Sequence, residues 1–441
     1  MKEKLMNLDQ LSRRQFAAGT AKAALGVSIL PIAGASQKVL AAGGGKAEHC
    51  IFFYMGGGMT HMDTFDPKPG TETGGQTKGI STGVAGIELA EFMPNLAKGF
   101  KDIAVVRSMT QKTGDHRGGS YWMHTSYQPR ATIVHPTMGP WAQTMLGKKH
   151  ETLPDSVVIG GGGNHPGAGF FGPALAPIPI GDPEKGIQNS RPWKGVDEKT
   201  FDKRMELMST FDEGFQKKFK TDEVSAYTQF YDETMKLMSS DDLDAFVLSN
   251  EEGYQEKVQK YGNTRVGKGA MLAKRLVKNG IRFIEVNSGG WDMHNNLWGG
   301  AIQQRAGELD NALSALIEDL KAEGLFEKTL ICLGTEFGRT PKINANGGRD
   351  HHPRVFSTMF AGGGVQGGQV YGKSDKLGMA VEEDPVDPRD FNATIAYALG
   401  IDLNKVVYAP SGRPFLVAGH KRDAETNEIV TEGKPIMPFF S

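Results

Sequence analysis

The sequence predicts an α/β fold in which a central, mostly parallel sheet is flanked by helices. Short apolar runs of strand length alternate along the chain with segments of helical periodicity. The run at residues 329–333 is apolar after its first residue, Thr329, which is typical of a strand buried on both faces of a parallel sheet. The chain has 441 residues, enough to bury a large core. We therefore expect one large domain that carries an insertion.

The predicted strands and helices follow one another in a regular order. The apolar runs predicted as strands are residues 50–54, 103–107, 156–159, 281–286, 329–333 and 356–360. Residues 201–260 are charged, rich in methionine and poor in glycine, and they predict a helical insertion or cap. Further helices are predicted at 263–278 and 303–323, and a C-terminal helix at 391–399. The helix at 303–323 has its apolar residues on one face, and Gly324 is its expected C′ residue.

The N-terminus carries the features of an export signal. Residues 12–16 read SRRQF, a twin-arginine motif, and a moderately apolar segment follows at 17–33. Small residues near 39–41 suit a signal peptidase. We therefore expect residues 1–42 to be a signal peptide recognised by the twin-arginine export machinery. The mature protein is then expected to be periplasmic or secreted.

Composition narrows the organisation and the partners of the mature chain. We expect a large domain at 47–420, with residues 185–265 as its helical insertion, and a C-terminal tail at 421–441. The formal net charge is −1, so no overall field favours nucleic acid or an anionic membrane surface. No segment beyond the signal is long and apolar enough for an integral membrane span. Cys50 and Cys332 each lie inside an apolar run, which predicts buried thiols rather than ligands or a disulfide.

Carboxylates, histidines and an arginine follow two of the predicted strands, at 281–286 and 329–333. They are, in chain order, Asp292, His294, Glu336, Arg339, Asp350 and His351. In open α/β sheets, ligands bind beyond the carboxyl ends of the strands. Carboxylate and imidazole groups are ligands of zinc and other divalent metals. The sequence therefore predicts a metal-centred site at this edge of the sheet.

Other predicted strands end in similar residues. His61 and Asp63 follow the first strand, and His116 and Arg117 follow the second. Further histidine candidates are His124, His165 and His352. The residues expected to hold a divalent metal (Zn, Mn, Ca or Mg) are Asp292, His294, Asp350, His351, Asp63 and His61. The residues expected to be catalytic are His116, Arg117, Glu336 and Arg339. The glycine clusters after the strands match neither a dinucleotide-binding nor a Walker motif.

Five motifs between residues 56 and 372 resemble one bacterial family. In order, they are GGGMTHMDTFDPKP, GGWDMHNN, TEFGRTPKIN, GRDHHP and GGVQGGQVYG. They resemble the family called domain of unknown function 1501, and the resemblance covers about residues 47–420. That family looks like a branch of the alkaline phosphatase/sulfatase-like superfamily. The resemblance implies an alkaline-phosphatase-like sandwich and a two-metal site that acts on phosphate or sulfate esters.

Single positions can be carried over from the superfamily. Residues 336–338 read EFG where the superfamily has Asp-His-Gly, so a carboxylate is kept, whereas phenylalanine cannot bind a metal. His116 falls at the position of the sulfatase nucleophile, where it could bind a metal or accept a phosphoryl group. The ligands implied for one metal site are Asp292, His294 and either His351 or His352. The second metal site is then rebuilt or lost.

Two function classes are open. In the first, which we expect, the protein is an exported metal-dependent hydrolase of phosphate or sulfate esters. Its substrate would be an anionic small molecule or a polysaccharide ester. A metal would polarise the ester oxygen and lower the pKa of bound water, and Arg339, Arg349 and Arg117 would clamp the anion. In the second, the protein is a catalytically degenerate superfamily member that binds an anionic ligand, a polysaccharide or a partner in the envelope or outside the cell.

Overall fold

A computed structural model of the protein describes residues 45–161, 165–188, 190, 195–219 and 222–441. The expected signal peptide at 1–42 lies outside these residues. Within them, the predicted fold class is confirmed, because an eight-stranded and mostly parallel sheet is flanked by helices.

The strands of the central sheet are numbered in chain order. They are β1 (His49–Met55), β2 (Ile103–Met109), β3 (Ser156–Ile159), β4 (Ile178–Ile180), β5 (Phe283–Ser288), β6 (Thr329–Gly334), β7 (Phe356–Ala361) and β8 (Gln369–Tyr371). Their order across the sheet is β8-β2-β7-β6-β1-β5-β3-β4. Neighbours pair in parallel except at β7, which runs antiparallel to β2 and β6. The carboxyl ends of β1, β2, β5 and β6 therefore meet at one edge.

Helices connect the strands. They are α1 (Pro94–Lys98), α2 (His116–Thr125), α3 (Met138–Leu146), α4 (Glu198–Lys218), α5 (Asp222–Met238), α6 (Tyr254–Tyr261), α7 (Arg265–Lys278), α8 (Ile302–Ala322) and α9 (Pro388–Ala398). Helices α4 to α6 fall within the stretch predicted as a helical insertion. Short antiparallel pairs lie outside the central sheet: Gly79–Ser81 with Glu88–Ala90, Gly338–Arg339 with His351–His352, Lys373–Ser374 with Val381–Glu383, Val407–Tyr408 with Pro414–Phe415, and His420–Arg422 with Ile429–Thr431.

The sheet separates two hydrophobic cores. Along β1, Ile51 and Phe53 point into a core shared with α7 and α8, because successive strand residues face opposite sides. Phe52 points into the other core, which includes side chains of α3 and α9. Cys50 and Cys332 are buried free thiols, as expected, with their sulfur atoms 3.8 Å apart. Both faces of the sheet are thus covered, which leaves its edges and loops to form a site.

Several elements differ from the sequence prediction. Strand β5 begins and ends two residues later than the apolar run 281–286. Strands β4 and β8 were not predicted, because each has only three residues at an edge of the sheet. The residues from His116 onward, which follow the second predicted strand, form α2, a helix that was not predicted. The stretch predicted as a C-terminal tail, 421–441, contributes a strand pair and buries Phe439 completely.

Among the residues that the structure describes, no helix combines the length and the hydrophobicity needed to cross a bilayer.

Candidate metal centre

Loops from neighbouring strands meet at the carboxyl edge of the sheet. Strand β1 pairs with β5 on one side and with β6 on the other, so the loops after these strands start side by side. The loop after β5 carries Asp292 and His294. The chain after β6 forms the hairpin in which Gly338–Arg339 pairs with His351–His352. Two histidine-bearing loops are thereby brought together.

His116 reaches the same place from the first residue of α2. The side chain of Asp115 caps this helix by accepting a hydrogen bond of 2.7 Å from the backbone N–H of Gly118. The cap fixes the helix start beside the other loops, where the His116 Nε2 atom lies 3.4 Å from Asp292 Oδ2. The rings of His116 and His351 are 4.4 Å apart between centroids.

The side chains of Asp292, His294 and His351 converge on one point. Asp292 Oδ1 lies 2.9 Å from His294 Nε2 and 3.3 Å from His351 Nε2. The two Nε2 atoms are 3.1 Å apart. A tetrahedral ion with bonds of about 2.0 Å requires ligand atoms about 3.3 Å apart. The three atoms therefore have the spacing of one face of such a coordination shell.

Hydrogen bonds fix which nitrogen of each ring carries the proton. The Nδ1 atom of His294 lies 2.8 Å from Asp350 Oδ1, and that of His351 lies 2.7 Å from the carbonyl oxygen of Gly114. Both neighbours are acceptors, so each Nδ1 donates, and in the neutral ring each Nε2 presents a lone pair. Two lone pairs and a carboxylate then face one another, an arrangement that a cation stabilises. Metal-binding histidines commonly have this outer oxygen partner, so the donor set fits a zinc-like ion.

The Glu336 carboxylate is hydrogen-bonded to His116. This carboxylate is 2% exposed and accepts hydrogen bonds from His116 Nδ1 at 2.7 Å, Gly57 N–H at 2.7 Å and the Tyr54 hydroxyl at 3.0 Å. Burial would raise the pKa of Glu336, but these donors lower it below its usual value. In turn, the hydrogen bond to Glu336 raises the pKa of His116. The Nε2 atom of His116 is therefore a strengthened base that faces the cluster.

Arg339 does not present a free guanidinium to an anion. It is 1% exposed, and its Nε donates to Gly58 O at 2.9 Å while Nη1 donates to Arg349 O at 3.1 Å. Its remaining contacts are with His294 Nε2 at 3.3 Å, Gly57 O and Asp292 Oδ1. Burial would raise the pKa of Asp292, but Arg339 lowers it to about 2. The expected anion clamp is thus a residue that positions the Asp292 carboxylate.

The side chains of Asp63 and Arg349 are buried and paired with each other. Asp63 accepts a hydrogen bond of 2.8 Å from Arg349 Nε, and neither side chain is exposed. Arg349 also donates to the backbone oxygens of Thr73, Thr340 and Pro341. The expectation that Asp63 binds metal and that Arg349 clamps an anion is therefore corrected. The loop after β1 folds back so that the two charges satisfy each other.

The other predicted residues are not among the side chains that converge on this point. His61 is fully buried, its Nε2 lies 3.0 Å from Gly378 O, and burial lowers its pKa to about 4. His352 is bonded to Met379 O at 2.8 Å. Arg117 is exposed in the first turn of α2. Asp350 supports His294 from behind rather than facing the point of convergence. The structure thus brings together Asp292, His294 and His351, with His116 and Glu336 beside them.

A second polar cluster lies deeper in the same half of the fold. Glu285 is 2% exposed and lies 3.2 Å from His124 Nε2 and 3.1 Å from His165 Nε2. Burial would raise the pKa of Glu285, but the two histidines hold it well below its usual range. The ring of Tyr54 lies 4.4 Å from that of His124 and connects this cluster to Glu336. Glu285 was missed, although a carboxylate inside an apolar run is the signal that could have found it.

Two groups among the described residues place three potential ligand atoms within 4.8 Å of one another. They are His116 with Asp292 and His351, and His124 with His165 and Glu285. Only the first group opens to solvent, since Asp292 is 46% exposed and Glu285 is buried. The first group therefore marks the candidate metal centre, in which Asp292, His294 and His351 are the ligands expected to hold the ion and His116 lies beside them.

The chain belongs to the family described as "Protein of unknown function (DUF1501)", whose model matches residues 47–427. The match contains every residue of the candidate metal centre. No similar curated protein was found.

Solved structures with similar folds have low sequence identity to this chain. The PsFucS1 sulfatase from Pseudoalteromonas sp. is 12% identical with a TM-score of 0.37, over 80% of this chain and 68% of that one. The lipoteichoic acid synthase LtaP from Listeria monocytogenes is 10% identical with a TM-score of 0.35, over 81% and 73%. The alkaline phosphatase from the Antarctic bacterium TAB5 is 11% identical with a TM-score of 0.33, over 76% and 96%. A shared fold does not define a reaction.

Proposed function

We propose that this protein is an exported, metal-dependent hydrolase of phosphate or sulfate esters with an alkaline-phosphatase-like fold. The observation that carries the proposal is the convergence of Asp292 Oδ1, His294 Nε2 and His351 Nε2 within 3.3 Å of one another. These atoms would hold one divalent ion, and two imidazoles with a carboxylate favour zinc or manganese over magnesium or calcium. A bound ion of this kind polarises an ester oxygen and lowers the pKa of water.

The proton-transfer role falls to His116. Glu336 holds the proton on Nδ1 at 2.7 Å, so Nε2 is free to accept a proton from an attacking water molecule. The His116 side chain is 39% exposed, which leaves room for a substrate beside it. Tyr54 and Gly57 keep the Glu336 carboxylate in place. In an alternative for phosphate esters, the same nitrogen would attack phosphorus, the ester P–O bond would break with release of the alcohol, and water would then hydrolyse the P–N bond.

Positive charge for the substrate anion comes from outside the buried network. Arg339 and Arg349 are occupied by protein acceptors, whereas Arg117 is exposed one residue after His116. A guanidinium there would contact a phosphate or sulfate group that lies against His116. The substrate class is an anionic small molecule or a polysaccharide that carries such an ester.

Export is supported by the sequence rather than by the fold. The SRRQF motif at 12–16 and the apolar segment at 17–33 favour the twin-arginine pathway, which carries folded proteins. A protein that acquires its metal in the cytoplasm must fold before export, and this pathway would carry it in the folded state. We therefore place the hydrolase in the periplasm or outside the cell.

The test is metal-dependent turnover by purified protein and matched histidine variants. Protein stripped with a chelator is reloaded with Zn, Mn, Mg, Ca or Fe and assayed on p-nitrophenyl phosphate and p-nitrophenyl sulfate. We expect His294→Ala to lose both metal and turnover. His116→Ala should keep the metal while turnover falls by about 10²–10⁴-fold.

The control is His150→Ala, which removes a histidine from the loop before β3, at the opposite edge of the sheet. It should match the wild type in metal content and turnover. Equal turnover in the stripped and reloaded wild type, or none with any metal, would remove the hydrolase proposal.

A second candidate function is a binding protein without turnover. It is favoured by Arg339, whose contacts with Asp292 and His294 occupy part of the cluster, and by Phe337, which packs 4.6 Å from the ring of His351. Metal content with no turnover on either ester would favour this candidate.

A further inference from the structure

A second concave site lies beside α2 and has a strongly positive wall. The cavity has a volume of about 410 Å³, within the range of ligand pockets. Five cationic side chains and one carboxylate line it. The cations are Lys112, Arg130, Arg389, Arg413 and Arg422. Because the whole chain has a formal net charge of −1, this positive charge is a local feature.

Most of these cations have no acidic partner. Of the five, Arg389 is the one with ion pairs among the described residues, to Asp387 and to Glu432 at 2.7 Å. Arg422 donates to the backbone oxygen of Asn427 at 3.0 Å, which leaves its charge uncompensated. Arg130 and Arg413 are exposed at the rim. Like charges held around a concave space repel one another, and a multivalent anion would relieve that repulsion.

The rest of the wall indicates the kind of anion. Ser126 and Gln128 contribute a hydroxyl and an amide to the wall, and the buried Ser126 Oγ has no hydrogen-bond partner among the residues that the structure describes, whereas the Tyr127 hydroxyl is held by Leu416 and His420. Such groups bond to sugar hydroxyls. A cavity rather than a flat surface also favours a compact ligand over a bilayer. Arginine forks match the geometry of sulfate and phosphate groups.

We infer that this cavity binds an oligosaccharide that carries two or more sulfate or phosphate groups. The cavity is separate from the candidate metal centre. None of the described lining residues belongs to that centre: Ser126 lies roughly 15 Å along the axis of α2 from His116, and Lys112 precedes His116 by four residues in the chain. Binding here requires no turnover, and it would hold a charged chain while another part of it reaches the metal centre.

The experiment measures binding by calorimetry with the full-length protein as purified. The probes are a dextran sulfate oligosaccharide and unsulfated dextran of the same length. The variant Arg130→Ala/Arg413→Ala removes two exposed charges from the rim. The control Lys203→Ala/Arg204→Ala removes two exposed charges from α4. Both variants should melt at the wild-type temperature because all four side chains are exposed.

We expect the wild type and the control to bind dextran sulfate and to show no binding to unsulfated dextran. The rim variant should bind at least about tenfold more weakly, since charge-assisted hydrogen bonds are lost. The experiment measures binding without turnover, so a failed turnover assay leaves this result intact. Equal affinity of the rim variant and the control would overturn the inference. Tighter binding to phosphatidylglycerol vesicles or to polyadenylate than to dextran sulfate would overturn it as well.

Discussion

Replacing Asp63 separates a structural role from a metal-binding one. Asp63 and Arg349 form an ion pair of 2.8 Å, and both side chains are fully buried. Thr60 Oγ1 also donates to Asp63 at 2.7 Å. Removing one charge of a buried pair leaves the other unpaired, which costs about 3–5 kcal/mol. We expect Asp63→Asn to lower the free energy of unfolding by about that amount and to leave the metal content unchanged.

The measurement combines urea denaturation, followed by circular dichroism, with elemental analysis of the same samples. The control is Asp241→Asn, which removes an exposed carboxylate and should change the free energy of unfolding by no more than about 0.5 kcal/mol. Wild-type stability together with loss of the metal in Asp63→Asn would refute this reasoning. It would return Asp63 to the metal centre.

Three further predictions follow from other contacts. Asp350→Ala should weaken metal affinity by about 10–100-fold, because Asp350 orients His294. Competition with a chelator measures this affinity, and an unchanged value would count against that role. Burial would raise the pKa of Glu285, but its histidine neighbours lower it below 4.5, so the stability that the ionised Glu285 contributes to the fold is complete above that pH and is lost as the pH falls. The free energy of unfolding should therefore drop faster in acid for the wild type than for Glu285→Gln. Parallel curves of unfolding free energy against pH for the two proteins would contradict this. Gly57→Ala should reduce stability and metal affinity more than Gly70→Ala. Both glycines have positive φ, but only a Cβ at position 57 would meet backbone, the Asp292 nitrogen at 2.5 Å. Equal effects of the two substitutions in denaturation and metal assays would show that this close approach is unimportant.

Most of the central sheet could be predicted from the sequence, because its inner strands are apolar runs followed by glycines. The direction of β7 is not encoded in such a run, so its antiparallel pairing with β6 is visible only in the structure. Strand β4 contains Pro179 and has three residues, too few for a pattern. The start of α2 was not predicted because Gly118 and Gly119 in its first turn disfavour a helix. The side chain of Asp115 caps the helix and determines where it begins.

The candidate centre was partly predictable for a related reason. Asp292, His294 and His351 follow strands whose ends must be close in a parallel sheet, and the structure places them together. The partners of Arg339 could not be predicted, since its acceptors include the backbone oxygen of Gly58, far away in the chain. Burial of Asp63 likewise depends on how the loop after β1 folds back, which no local pattern specifies.

The most direct measurement is an X-ray absorption spectrum of the purified protein at the edge of whichever metal it contains. The account predicts one ion per chain, coordinated by imidazole nitrogen and carboxylate oxygen at about 2.0–2.2 Å. In His294→Ala the imidazole contribution to the spectrum should fall. A protein without bound metal, or a spectrum that shows oxygen ligands alone, would contradict a metal centre built from Asp292, His294 and His351.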